Sequence, residues 1–99
     1  MVIWSQPAKA DLRQIHDFIA KDSKFYAKRV TGDIVDKTGV LNEAPLIGKI
    51  TPELNTEEIR EIPMYSYRII YEVKKSDAFV LAVVHKRRDL QPEDIEKTK

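Results

Sequence analysis

The segment His85-Lys86-Arg87-Arg88 sets one imidazole and three cations side by side. Histidine exchanges a proton near neutral pH, and guanidinium and ammonium groups stabilise anionic centres. Two further arginines, Arg60 and Arg68, stand in strand-like stretches upstream. Metal-free RNA cleavage needs a base for the 2′-hydroxyl proton, cations for the charged phosphorane, and an acid for the leaving oxygen. His85, Arg87, Arg68 and Arg60 are therefore the candidate catalytic set if the chain is a nuclease. Arg60, Arg68, His85, Lys86, Arg87 and Arg88 are the candidate target-binding set if it acts by contact alone. Each has a plainer alternative. His85 can be a strand-end histidine bonded to its neighbours. Arg68 can pair with Glu61 or Glu72, Arg60 with Glu58 or Glu72, and Arg87 or Arg88 with Asp89.

These groups need a sheet to hold them. Residues 67–73 are rich in aromatic and β-branched side chains, which suit a pleated, half-buried surface. Strand alternation puts Tyr67, Ile69, Tyr71 and Val73 on one face and Arg68, Ile70 and Glu72 on the other. A polar turn at 74–77 leads into residues 78–84, apolar on both faces, as expected of a covered interior strand. That strand runs straight into His85. Residues 57–64 predict another strand, with Pro63 at an edge or near its end. A brief one is expected at 49–53, and a short one at 2–5.

Between the first strand and the rest lie two helical patterns. Ser5 or Gln6 caps the first, with Pro7 in the opening turn. Ala8, Leu12, Ile15 and Ile19 form one stripe, predicting a helix over 7–21. Asp11 is expected to favour the helix start through the macrodipole. Ser23 caps a second helix. Its stripe is Tyr26 or Ala27, Val30, Ile34 and Leu41, and Gly39 is a candidate end. The resulting fold class is α+β in two layers: an N-terminal strand, an αα-hairpin, then a three- to four-stranded antiparallel sheet. Residues 1–99 form a single domain, with about 89–99 as a short C-terminal tail. Residues 89–95 predict one helical turn, and 96–99 are expected to fray.

Composition narrows the function. With 17 basic and 16 acidic residues the formal charge is +1, so overall charge gives no drive toward nucleic acid. There are no cysteines and only two well-separated histidines, which disfavours a metal site. No metal or cofactor is expected. The longest apolar run is far too short to span a bilayer, and no signal-peptide pattern opens the chain. A cytoplasmic location is the default expectation.

Five pieces in order carry a family resemblance. They are Trp4-Ser5-x-x-Ala8-x-x-Asp11-Leu12-x-x-Ile15-x-x-Phe18-Ile19, Leu41-x-x-x-Pro45-x-x-Gly48, Ile59-Arg60-Glu61, Tyr67-Arg68-Ile69-Ile70-Tyr71 and Val84-His85-x-Arg87-Arg88. Over roughly residues 2–90 the chain resembles the ParE branch of the RelE/ParE toxin superfamily of type II toxin–antitoxin systems. The resemblance implies a small cytoplasmic toxin, held inactive by a cognate antitoxin whose C-terminal segment wraps the helical hairpin and sheet. ParE-like members poison DNA gyrase, whereas RelE-like members share the fold and cut mRNA on the ribosome. It also implies that DNA is reached only through the antitoxin, since this chain shows no DNA-reading motif.

Between the two activities, the residues favour the gyrase-directed one. RelE-type sites resemble a set of lysines and arginines with a late tyrosine. Here Glu58 lies beside Arg60 on the same strand face, where it would repel a scissile phosphate, and no tyrosine follows Tyr71. The alternative, a ribosome-dependent mRNA endonuclease acting on ribosome and mRNA, rests on His85, Arg87, Arg68 and Arg60. For the antitoxin, an amphipathic helix in an apolar groove is expected. Phe18, Phe25 and Tyr26 are its candidate contacts, with core packing as the alternative for at least one.

Overall fold

Ser5 ends the first strand and starts the first helix. In the computed structural model, which describes residues 1–95, β1 (Val2–Trp4) leads into α1 (Gln6–Ala20). The Ser5 hydroxyl accepts from the Ala8 N–H at 3.1 Å, satisfying one of the helix's open donors. Ser23 does the same for α2 (Lys24–Thr38), accepting from the Tyr26 N–H at 3.1 Å. Gly39 closes α2, and a 3-10 turn at Gly39–Asn42 follows.

The sheet then forms from β2 (Lys49–Ile50), β3 (Ile59–Met64), β4 (Tyr67–Lys74) and β5 (Asp77–His85). These four pair antiparallel in succession, as short connections require. β1 adds to the outer side of β5, in parallel, so the five-stranded order is β1-β5-β4-β3-β2. The crossover through α1 and α2 is what allows a parallel neighbour. The last element is a 3-10 turn at Pro92–Asp94. Residues 96–99, expected to fray, lie outside the described residues.

The helices cover one face. Ala8, Ile15, Ile34 and Leu41 pack with Ile62, Ile69, Tyr71, Ala78, Val80 and Val83. In α2 the stripe resolves to Ala27, which is buried, while Tyr26 is exposed. The opposite face is covered as well: Ile59, Ile70, Leu81, Ala82 and Val84 pack under Leu90 and Ile95 of the C-terminal segment, flanked by Leu54. A register shift between Ile70 and Tyr71 places Tyr71 opposite Val80 and Ile70 opposite Ala82. Leu81 is thus the extra residue of a β-bulge. It joins Ala82 in the second cluster, so the run over 78–84 is apolar on both faces and also breaks strict alternation.

Candidate functional site

β5 carries His85 to the end of the sheet and the chain turns there. The Lys86 N–H donates to the Ser66 carbonyl at 2.8 Å, tying this end to the β3–β4 turn. The Arg88 N–H returns to the His85 carbonyl at 3.0 Å. The His85 Nδ1 accepts from the Arg87 N–H at 3.2 Å, so Nε2 carries the proton of the neutral ring. The His85 ring stands edge-on to Tyr67, centroids 6.2 Å apart. His85, Lys86, Arg87 and Arg88 are all exposed. Arg88 pairs with Asp94, Nη2 to Oδ1 at 3.2 Å, rather than with Asp89.

Arg68 is placed behind this tip. It is 8% exposed. Its guanidinium donates to Glu53 Oε1 at 2.9 Å, Glu53 Oε2 at 2.7 Å and Glu61 Oε1 at 2.9 Å. A further bond of 2.7 Å reaches the Arg88 carbonyl. The expected cross-strand partner Glu61 is present, and Glu53 is added from the loop before β3. The Arg68 hydrogen bond holds the Glu53 carboxyl down to about 2. Glu53 also accepts from the Leu90 N–H at 3.0 Å. Arg68 and Glu53 therefore fix the backbone that follows the tip, and their charges are paired inside the fold.

Arg60 is half-buried and engaged with backbone carbonyls. Its guanidinium donates to the carbonyls of Glu57 at 3.1 Å, Gly48 at 3.0 Å and Leu46 at 3.4 Å, lacing the loop before β2 to β3. Neither Glu58 nor Glu72 is its partner in these bonds. Arg60 sits opposite Tyr71 and His85 opposite Tyr67. Four residues along one strand separate those tyrosines by roughly 13 Å. The four residues proposed for RNA cleavage are thus not brought together: His85 and Arg87 share the tip, Arg68 lies beneath it and Arg60 stands near the far edge.

α1 and the strand end enclose a cleft of about 270 Å³, with Asp11, Ile15 and Phe18 on one wall and Tyr67, His85 and Arg88 on the other. Asp11 lies beyond the first turn of α1 and does not serve the helix start as expected. Its Oδ2 accepts from the Val83 N–H at 3.0 Å, capping the edge of β5 that β1 is too short to reach. Burial raises its carboxyl above the ordinary value, against lowering by the Val83 bond and the Arg88 charge. Sequence reasoning missed Asp11 and Glu53; only the fold brings either carboxylate to its donor. Phe18, Phe25 and Tyr26 are 69%, 71% and 61% exposed. They flank the α1–α2 turn, and Phe25 and Tyr26 meet edge to face at 5.9 Å. None of the three is spent on the core. Among the described residues no cluster of His, Asp or Glu is arranged to hold a metal ion.

The family model of the ParE toxin of type II toxin–antitoxin systems, parDE, matches residues 2–90. The chain belongs to this family. It is a ParE-type toxin, and its module implies an antitoxin partner. Among solved structures it is similar to a chain of the chromosomal ParDE system from P. aeruginosa, with a TM-score of 0.71 and 21% identity, covering 85% of this chain and 92% of that one. At that identity the likeness speaks for the fold. No curated protein sequence matches.

Proposed function

We propose that this ParE-type toxin inhibits DNA gyrase by contact, through the exposed tip His85-Lys86-Arg87-Arg88, and that a cognate antitoxin neutralises it by binding the helical hairpin at Phe18, Phe25 and Tyr26. One observation carries the reading. In a chain of this family, three adjacent exposed cations stand with His85 at one rigid strand end, while Arg68 and Arg60 of the candidate nuclease set are engaged within the fold. A contact inhibitor needs a firm, charged surface and no acid–base set. The tip is firm because Ser66, Arg68 and the His85 carbonyl hold its backbone. The protein acts in the cytoplasm, where gyrase works, and touches DNA only through its antitoxin.

The test is gyrase supercoiling of relaxed plasmid with purified toxin. Inhibition or trapped cleaved plasmid is expected, with loss of effect in Lys86→Glu/Arg87→Glu. Normal supercoiling at excess folded toxin removes the reading. Primer extension on mRNA in a translating extract forms the second arm, and cuts at the ribosomal A site would replace gyrase with the ribosome.

A further inference from the structure

We infer that Tyr65 and Asp33 form a latch that positions the basic tip: the Tyr65 hydroxyl ties the β3–β4 turn to α2, and the turn so held fixes Lys86. This rests on the contact reading above and adds what keeps the tip in the form that a target meets. Tyr65 stands in a conformation that its side chain disfavours. Tyr65 and Ser66 alone join β3 to β4, since Met64 pairs with Tyr67. The φ of Tyr65 is 56°, in the left-handed region. Glycine is favoured at the first position of such a two-residue turn, and a bulky side chain is an outlier there.

Burial does not offset that strain, because Tyr65 is 53% exposed. What a glycine lacks is the hydroxyl. It donates to Asp33 Oδ2 on α2, 32 residues earlier in the chain. Arg29, one helical turn before Asp33, flanks the same hydroxyl. The Asp33 carboxylate holds the phenol proton and raises the hydroxyl above its ordinary value. From the turn the connection runs to the tip. The Ser66 carbonyl accepts from the Lys86 N–H at 2.8 Å. The direction of that carbonyl follows the dihedral angles of the turn, so a turn relaxed from its left-handed form carries the acceptor away from Lys86. Tyr65, Tyr67 and Lys86 also line one recess of about 390 Å³. Strain of this kind persists where the surrounding structure enforces it, and it gathers at functional sites. Here the enforcing group is Asp33, and the segment served is the one that presents Lys86 and Arg87.

The test is backbone amide hydrogen exchange by NMR on the full chain, beside thermal melts and gyrase supercoiling. In Tyr65→Phe and in Asp33→Ala the Lys86 amide should exchange about threefold faster or more, the scale of one hydrogen bond. The double variant should exchange no faster than either single one. Asp33→Asn, which keeps an acceptor oxygen, should restore the parent rate. The amide of Ile70, inside β4, should keep its parent rate throughout. Tyr65→Gly separates positioning from stability: it removes the strain, so the melting midpoint should hold or rise while Lys86 still exchanges faster. The proposed inhibition of gyrase should weaken in Tyr65→Phe and Asp33→Ala at temperatures where both are folded. An unchanged Lys86 rate in these two variants overturns the latch. So does an equal acceleration at Ile70, which would make Tyr65 a support of the whole sheet, or full inhibition by a variant whose Lys86 amide has loosened. If Tyr65→Phe folds poorly, Asp33→Ala, which leaves the turn's own residues intact, decides. If the parent toxin leaves gyrase untouched, the gyrase reading fails, yet exchange at Lys86 still reports whether Tyr65 and Asp33 hold the tip.

Discussion

Two carboxylates behind the tip have opposite pH behaviour. Glu53 titrates at about 2 in the fold against an ordinary 4.5, because the Arg68 guanidinium binds its charged form. Its stabilisation is complete above about 4.5 and is lost as the pH falls from there to about 2. Glu53→Gln is expected to cost about 1.5–3 kcal/mol at neutral pH, the range for a hydrogen bond to a charged group, and to flatten the acid limb of a urea-midpoint profile. Asp11 is raised by burial, so the fold takes its proton more readily than the unfolded chain does. Its contribution therefore improves as the pH falls through its titration. Asp11→Asn, which keeps an oxygen for the Val83 N–H, should hold or raise the neutral-pH midpoint. Asp11→Ala should cost about 1–3 kcal/mol by orphaning that donor. The Arg68–Glu61 pair was legible from strand alternation, as a diagonal neighbour across β3 and β4. Glu53 and Asp11 were not, since one sits on a loop and the other reaches a strand far away in the chain.

At the scale of elements, periodicity carried most of the reading. Stripes of apolar residues located both helices, and serine caps located their starts to within a residue. The tight connections were less legible. Lys75 and Ser76 join β4 to β5 with φ of 49° and 71°, a left-handed pair that neither residue favours. Lys75→Asn/Ser76→Gly should raise stability by about 1 kcal/mol, read as a higher chemical-denaturation midpoint. Gly48 is held by contact rather than by dihedral angle. A Cβ there would lie 2.6 Å from the Glu61 carbonyl and 2.6 Å from the Tyr71 hydroxyl. That hydroxyl accepts from the Gly48 N–H at 2.9 Å and donates to the Pro45 carbonyl at 2.7 Å. Gly48→Ala should cost about 1–3 kcal/mol by overpacking. The bulge at Leu81 escaped notice because a run apolar on both faces hides a break in alternation.

For the whole molecule, the second face of the sheet decides what the C-terminal segment is for. Read from the sequence it is a tail; in the fold it is a lid on that face. Leu90 and Ile95 are buried on Ile59, Ile70, Leu81, Ala82 and Val84. The lid is pinned by Arg68 on the Arg88 carbonyl and by Glu53 on the Leu90 N–H. The tip thus lies between two structural anchors, β5 before it and the lid after it. This separates two ways of losing toxicity. Leu90→Ala leaves a cavity in the second cluster and should cost about 2–5 kcal/mol. At a fixed temperature near its lowered melting point it should lose the proposed gyrase inhibition in proportion to the fraction unfolded. Glu93→Ala, on the exposed turn of the same segment, should leave both melting and inhibition near the parent values. Lys86→Ala/Arg87→Ala should do neither: melting stays within about 0.5 kcal/mol, as for exposed substitutions, while inhibition falls at every temperature. Thermal melts and supercoiling assays on the three variants, run over one temperature series, distinguish a lid that supports the tip from a lid that itself meets the target. Inhibition lost in folded Leu90→Ala would assign contact to the lid.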